Sequence, residues 1–214
     1  MLYYVFDLDG TLTNPVEGIT GSVMYALKKL NIEGVERKDL LKFIGPPLTD
    51  SFSKYFGLEG EENEAAVSYY RETFAVKGMF ENEIYEGIEE LLDTLSKNGK
   101  KIYLATSKPE EYAVPILENL SILKYFDFVA GNTLKDDRLT KESVIEYLLK
   151  TKDIDPKDAV MVGDRKFDII AGHRFGLTTV GVTFGFAEEN ELENAGADYI
   201  ADSVSSLKEI LLYL

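Results

Sequence analysis

Cysteine is absent from the chain, which excludes a disulfide framework, a thiolate nucleophile and a zinc–thiolate centre. Histidine is almost absent: the single His173 leaves little room for a histidine-based triad or metal cluster. Any bound metal must then take mainly oxygen ligands, which favours a hard cation such as Mg²⁺. Positive charge is also scarce, with 23 Lys and Arg against 38 Asp and Glu and a net charge of −15. That balance disfavours nonspecific binding to nucleic acid or to an anionic membrane surface, so neither is expected as a partner. It also repels anionic substrates, and a phosphate-handling site would have to build local positive potential from a metal and a few placed lysines. The first residues lack the basic start and long apolar stretch of a secretory signal, and no apolar run is long enough to span a bilayer. The cytoplasm is the expected compartment.

What is present is a chain of 214 residues, 45% hydrophobic, enough for a real core in one domain or in one domain carrying a smaller insertion. Leu2 to Phe6 form an apolar, aromatic-rich run of strand length that passes directly into Asp7-Leu8-Asp9-Gly10-Thr11. Asp-x-Asp-Gly is also an ordinary turn sequence. Two carboxylates at the end of a buried strand, however, are costly unless a metal ion or substrate pairs with them. From Pro15 to Phe80 the pattern is helical throughout: Ile19–Asn31, Arg37–Ile44, a segment opened by Pro47, and a long helix over Glu61–Phe80. From Tyr85 helices and short apolar strands alternate. Ile88, Leu91, Leu92 and Leu95 mark a helix closed by Asn98-Gly99. Strands are predicted at 101–105, 126–130, 159–162, 178–182 and 199–201. Helices are predicted from Pro109 with a kink at Pro115, at 140–150 and at 165–175, with a last one carrying Val204, Leu207, Ile210 and Leu211.

This order predicts an α/β fold: a Rossmann-like parallel sheet with helices on both faces, formed by residues 1–14 and 84–214, and a small all-helical domain, 15–83, inserted after the first strand. Ligands of such sheets bind at the carboxyl ends of the strands. Those ends gather Asp7 and Asp9, then Thr106-Ser107-Lys108 after the strand 102–105, and Gly163-Asp164 with Asp168 one helical turn further on. Lys141 opens the helix after Thr140 and brings an ammonium to the same edge. Asp164 is the natural second carboxylate for a cation.

The four motifs, Asp7-Leu8-Asp9-Gly10-Thr11, Thr106 or Ser107 after a strand, Lys141 opening a helix, and Gly163-Asp164 followed by Asp168, resemble in order those of the haloacid dehalogenase-like superfamily. The segment Phe43-Ile44-Gly45-Pro46-Pro47-Leu48 is similar to the cap loop of its phosphoglycolate phosphatase-like members. The resemblance implies that 15–83 is a cap domain and that the activity is hydrolysis of a small soluble phosphate ester, phosphoglycolate first and a nucleoside 5′-monophosphate second. It implies Asp7 as the nucleophile and Asp9 as the acid and base. It implies Mg²⁺ held by Asp7, Asp164 and the backbone carbonyl of Asp9. Thr106, Ser107 and Lys141 bind the phosphoryl oxygens on this reading, and Asp168 supports Lys141 or a water. A sugar-phosphate mutase related to β-phosphoglucomutase and a non-catalytic phosphate-binding module are the alternatives.

Several residues have plainer readings. Lys135 or Arg138 can stand in for Lys141, since Glu142 follows it where many relatives have proline. Asp168 can be a surface partner of Arg165 or Lys166, and Ser107 a helix cap. His173 is given no role. Tyr69, Tyr70, Phe74 and Phe80 are expected in the core of the helical unit, and Arg71 on a solvated face unless it holds a second anionic group of the substrate. Oligomeric state is left open.

Overall fold

The computed structural model describes residues 1–214. Two compact units make up the chain: Met1–Asn14 together with Ile84–Leu214, and Pro15–Glu83. In chain order the elements are β1 (Tyr3–Phe6), β2 (Thr13–Asn14), α1 (Val16–Lys29), α2 (Leu48–Phe56), α3 (Gly60–Phe74), β3 (Glu83–Ile84), α4 (Ile88–Lys97), β4 (Lys101–Pro109) and α5 (Glu110–Asn119). They continue with β5 (Phe128–Asn132), α6 (Lys141–Lys152), β6 (Ala159–Gly163), α7 (Lys166–Phe175), β7 (Thr178–Val182), α8 (Glu191–Asn194), β8 (Tyr199–Ala201) and α9 (Val204–Tyr213). No helix is long and apolar enough to cross a membrane.

The larger unit is an α/β fold on a six-stranded parallel sheet, ordered β5-β4-β1-β6-β7-β8, with helices on both faces. β1 lies inside it, and Tyr4, Val5 and Phe6 are fully buried, as a strand covered on both faces requires. Successive side chains point to opposite faces. Val5 packs with Tyr103, Ala105 and Met161 against Val144, Ile145 and Leu148 of α6. Tyr4 turns the other way, and its buried hydroxyl donates to the carbonyl of Leu211 in α9 at 2.9 Å. Register aligns the strand ends: Phe6 lies beside Leu104 on one side and Val162 on the other. Asp7, Ala105 and Gly163 therefore come out of the sheet side by side.

β4 is longer than the predicted 101–105. It continues to Pro109 through a register shift against β5 between Thr106 and Pro109. β5 begins two residues later than expected and ends at Asn132, while α5 runs unbroken from Glu110 to Asn119 with Pro115 inside it. β2 and β3, two residues each, pair with each other, and neither they nor the four-residue α8 had been expected.

The helical unit, Pro15–Glu83, buries Ile19, Val23, Ala26 and Leu27 of α1 and Ala66, Val67, Tyr70 and Phe74 of α3. Two elements differ from the helices predicted there. Arg37–Phe43 is a 3₁₀ helix, which suits a segment whose buried residues, Leu40 and Phe43, are three apart. The helix predicted to Phe80 ends at Phe74, and a separate 3₁₀ turn covers Gly78–Phe80. That break lets Gly78 meet α1 backbone to backbone, since a Cβ added at Gly18 would lie 1.9 Å from the Gly78 carbonyl oxygen. Phe80 is consequently 45% exposed and not a core residue. Tyr70 and Phe74 stack at 5.1 Å, and Lys29 lies over the part-buried ring of Tyr69.

Candidate active site

The loop after β1 is wound around Leu8, which is fully buried and accepts hydrogen bonds at its carbonyl from the amides of Thr11, Leu12 and Thr13. Leu8 thus pegs the loop into the core with Asp7 and Asp9 on either side. Gly10 takes φ +86°, and a Cβ there would fall 2.1 Å from Asp164 Oδ2. Only glycine lets the first loop and the loop after β6 approach so closely.

Lys141 is the first residue of α6, positioned by a capping box in which the Ser143 amide donates to Thr140 Oγ1 and the Thr140 amide to Ser143 Oγ. Its side chain is 4% exposed. Nζ lies 2.8 Å from Asp7 Oδ1 and 2.8 Å from Asp168 Oδ1 and donates to the Ala105 carbonyl at 2.9 Å. A cation in the first turn opposes the helix dipole, so the two carboxylates rather than the helix fix this lysine in place. Burial alone would lower its pKa, but Asp168 and Asp7 outweigh burial and hold it above the ordinary lysine value. Neither alternative takes this position. Arg138 pairs with Glu110 at 2.7 Å and donates to the Gly131 carbonyl, and Lys135 is exposed.

Asp168 is not a surface residue. It is 1% exposed and accepts from the Arg165 amide through Oδ2. A Cβ at Gly163 would lie 2.2 Å from its Cγ, so that glycine makes room for the carboxylate. Burial pushes Asp168 up to about 6, with Lys141 acting against the rise. Asp164 is fully buried, accepts from the Phe186 amide at 2.8 Å, and has Thr11 Oγ1 3.4 Å from Oδ1. Its pKa is raised well above the usual carboxylate range, first by burial and then by the charges of Asp168 and Asp7. One oxygen from each of Asp7, Asp164 and Asp168 lies within 4.8 Å of the others.

The other sequence-predicted residues stand at the same strand ends. Thr106 is 2% exposed, and its Oγ1 accepts from the Lys108 amide at 3.2 Å. Ser107 is part-buried within β4 and caps no helix, since Pro109 precedes α5 without a side-chain cap. Asp9 pairs with Lys108, to which the sequence alone assigns no role: Nζ lies 2.6 Å from Oδ2 and 2.8 Å from Oδ1. Burial raises the pKa of Asp9, and Lys108 counters it. Three further features went unread. The Arg165 guanidinium pairs with Glu191 at 2.9 Å, the Phe186 amide holds Asp164, and Tyr85 packs edge-on to Phe184 at 5.3 Å. Tyr85 is pushed up to about 12 by burial and by the charges of Asp164 and Asp9. His173 lies apart from this cluster, bonded to Asp198 and Thr179.

Fully ionised, Asp7, Asp9, Asp164 and Asp168 would set four negative charges against two ammoniums, Lys108 and Lys141, within the cluster. The excess of two, on buried oxygens with no histidine or thiolate among them, fits a divalent hard cation. Asp7, Asp164 and Asp168 are the side chains close enough together to share one, whereas the Asp9 side chain is taken by Lys108.

The chain is similar to known proteins over nearly its whole length. It is 38% identical over 207 residues to a 5′-nucleotidase of Pseudomonas aeruginosa, covering 97% of this chain and 94% of that protein. It is 32% identical over 209 residues to the tyrosine-protein kinase PtkA of Mycobacterium tuberculosis, covering 97% of this chain and 71% of that protein. Among solved structures, a protein from Clostridium acetobutylicum described as a predicted phosphatase superposes with a TM-score of 0.95 at 45% identity, covering 99% of this chain and 98% of that one. The family model for haloacid dehalogenase-like hydrolases matches residues 4–182, from β1 to the end of β7, and the chain belongs to that family.

Proposed function

We propose that this enzyme is a Mg²⁺-dependent phosphatase that hydrolyses a small soluble phosphomonoester through an aspartyl phosphate on Asp7, with residues 15–83 as its inserted cap. The observation that carries the reading is the buried Lys141 bridging Asp7 and Asp168, beside Asp164. The bound cation would be held by Asp7 and Asp164 with the Asp9 carbonyl, and would neutralise charge between the nucleophile and the phosphate.

The chain's own residues divide the remaining work. A carboxylate oxygen of Asp7 attacks phosphorus, forming a new P–O bond as the bond to the ester oxygen breaks. Asp9, whose burial favours its protonated form, gives its proton to that leaving oxygen. It then takes a proton from the water that cleaves the acyl phosphate, so acid and base are the same group in successive half-reactions. Lys141 offsets the charge of Asp7 and binds a phosphoryl oxygen. Thr106 Oγ1 and the Ser107 amide take the others, and Asp168 holds the lysine in place.

Among substrate classes, a nucleoside 5′-monophosphate now stands ahead of phosphoglycolate. The 5′-nucleotidase relative is 38% identical, against 26% for a phosphoglycolate phosphatase of the same organism. Phosphate release should be measured from a generic aryl phosphate and from a panel of nucleotides, phosphoglycolate and pyrophosphate. Turnover should require Mg²⁺ and vanish in a folded Asp7→Asn variant; undiminished turnover by that variant would sink the mechanism.

A further inference from the structure

Lys108 is the ammonium of the cluster that pairs with Asp9. It reaches Asp9 with both charges nearly buried, at 7% and 12% exposure, and it contacts both carboxylate oxygens. Stability is a poor reason for such a pair, because the desolvation of two buried charges offsets most of their attraction and an apolar pair of the same volume serves as well. Local backbone geometry shows that the placement is built. Lys108 sits inside the register shift of β4, between Thr106 and Pro109, and an irregularity of this kind re-aims a side chain that a regular strand would point elsewhere. Two neighbours hold the irregular backbone. The Lys108 amide donates to Thr106 Oγ1, and Gly131 of β5 leaves space for the Lys108 carbonyl, which a Cβ would approach to 2.6 Å.

We propose that Lys108 is a positioning residue for Asp9: it grips both carboxylate oxygens and fixes the plane and direction in which Asp9 exchanges its proton with the ester oxygen and with water. The proposal rests on the reading of Asp9 as acid and base. It divides the two lysines by task, Lys141 serving the nucleophile and Lys108 the proton carrier. A carboxylate on a loop has two side-chain torsions, and general acid catalysis is lost when the proton points away from the leaving oxygen.

The test compares an activated aryl phosphate, 4-nitrophenyl phosphate, whose leaving group departs without a proton, with an alkyl phosphate, whose leaving group needs one. Wild type, Asp9→Asn, Lys108→Met, Lys108→Gln and Lys108→Arg are assayed at saturating Mg²⁺. The value of kcat/KM reports the steps through the first P–O cleavage. In Lys108→Met and Lys108→Gln it should fall about tenfold or more for the alkyl ester, a fraction of the range acid–base catalysis spans, and change little for the aryl ester. Lys108→Arg should recover much of the loss. Because base catalysis of the second step suffers too, intact-protein mass spectrometry of quenched aryl phosphate reactions should show phosphorylated enzyme accumulating in Lys108→Met and not in wild type. Melting temperatures identify a variant that does not fold, and the Gln and Arg variants then decide. A loss equal on both esters, or confined to esters whose leaving group carries an anionic group, overturns the proposal, since Lys108 then supports the loop or binds substrate. If Asp9→Asn itself shows no leaving-group dependence, the reading of Asp9 fails. If Asp9→Asn shows it and Lys108→Met does not, only the role of Lys108 fails.

Discussion

Replacing Lys141 with methionine removes the buried charge between Asp7 and Asp168 while keeping a side chain of similar length. The lysine is 2.8 Å from each carboxylate and 4% exposed, so solvent cannot substitute for it. Removing one partner of a buried ion pair costs about 3–5 kcal/mol, because the remaining charges stay buried without compensation. A proton can relieve part of that cost. Asp168 already stands at about 6 with Lys141 present, and without it the value must rise further. A carboxyl whose folded-state pKa exceeds its unfolded value stabilises the fold at low pH, and that contribution is lost as pH rises from about 4 through the folded value. In wild type the loss is complete above about 6; in Lys141→Met it continues to higher pH. Urea unfolding of both proteins in a chelator, at pH 5.5 and pH 8, measures the difference. The penalty should be about 3–5 kcal/mol at pH 8 and smaller at pH 5.5, where a protonated Asp168 needs no ammonium beside it. Adding Asp168→Asn to Lys141→Met should recover part of the pH 8 loss. A penalty below about 1 kcal/mol at pH 8, or one equal at both pH values, would refute the placement of a charged Lys141 between two buried carboxylates.

Two further outcomes follow from the geometry. Gly10→Ala should lower stability by about 2–4 kcal/mol in thermal or urea melts, combining left-handed backbone strain with a Cβ placed on Asp164; a change under about 1 kcal/mol would show that the two loops separate easily. Asp164→Asn should weaken Mg²⁺ binding by more than about tenfold in calorimetry, and an unaltered affinity would move the cation to other ligands.

Much of the site was legible because parallel strands bring sequence-distant ends to one edge. Val160-Met161-Val162-Gly163-Asp164 reads as a buried strand with a carboxylate at its tip, and the structure places it so. Lys141 was harder to read. A lysine in a first helical turn is ordinarily solvated, and only the end of β1 and the first turn of α7 supply the two carboxylates, Asp7 and Asp168, that draw it inward. Lys108 could not be placed at all from periodicity, because a regular strand alternates faces and the shift after Thr106 breaks that alternation. Glu191 lies in a helix of four residues, too short for a hydrophobic period, and its partner Arg165 is 26 residues away. The sequence predicts a helix over Arg37–Ile44 but not its type, since Leu40 and Phe43, three apart, suit either period, and the structure takes the 3₁₀ form over Arg37–Phe43.

The place of β1 in the sheet has a consequence for how the molecule is made. Its two neighbours, β4 and β6, begin at Lys101 and Ala159, so β1, the earliest made of the six strands, waits longest for its second partner. At typical elongation rates that wait is on the order of ten to thirty seconds. Throughout it one edge of β1 stays open, and Asp164 and Asp168, which complete the cluster of Asp7, have yet to be synthesised. The carboxylate cluster is therefore complete only once the segment 159–168 has been made and β6 has closed the sheet beside β1.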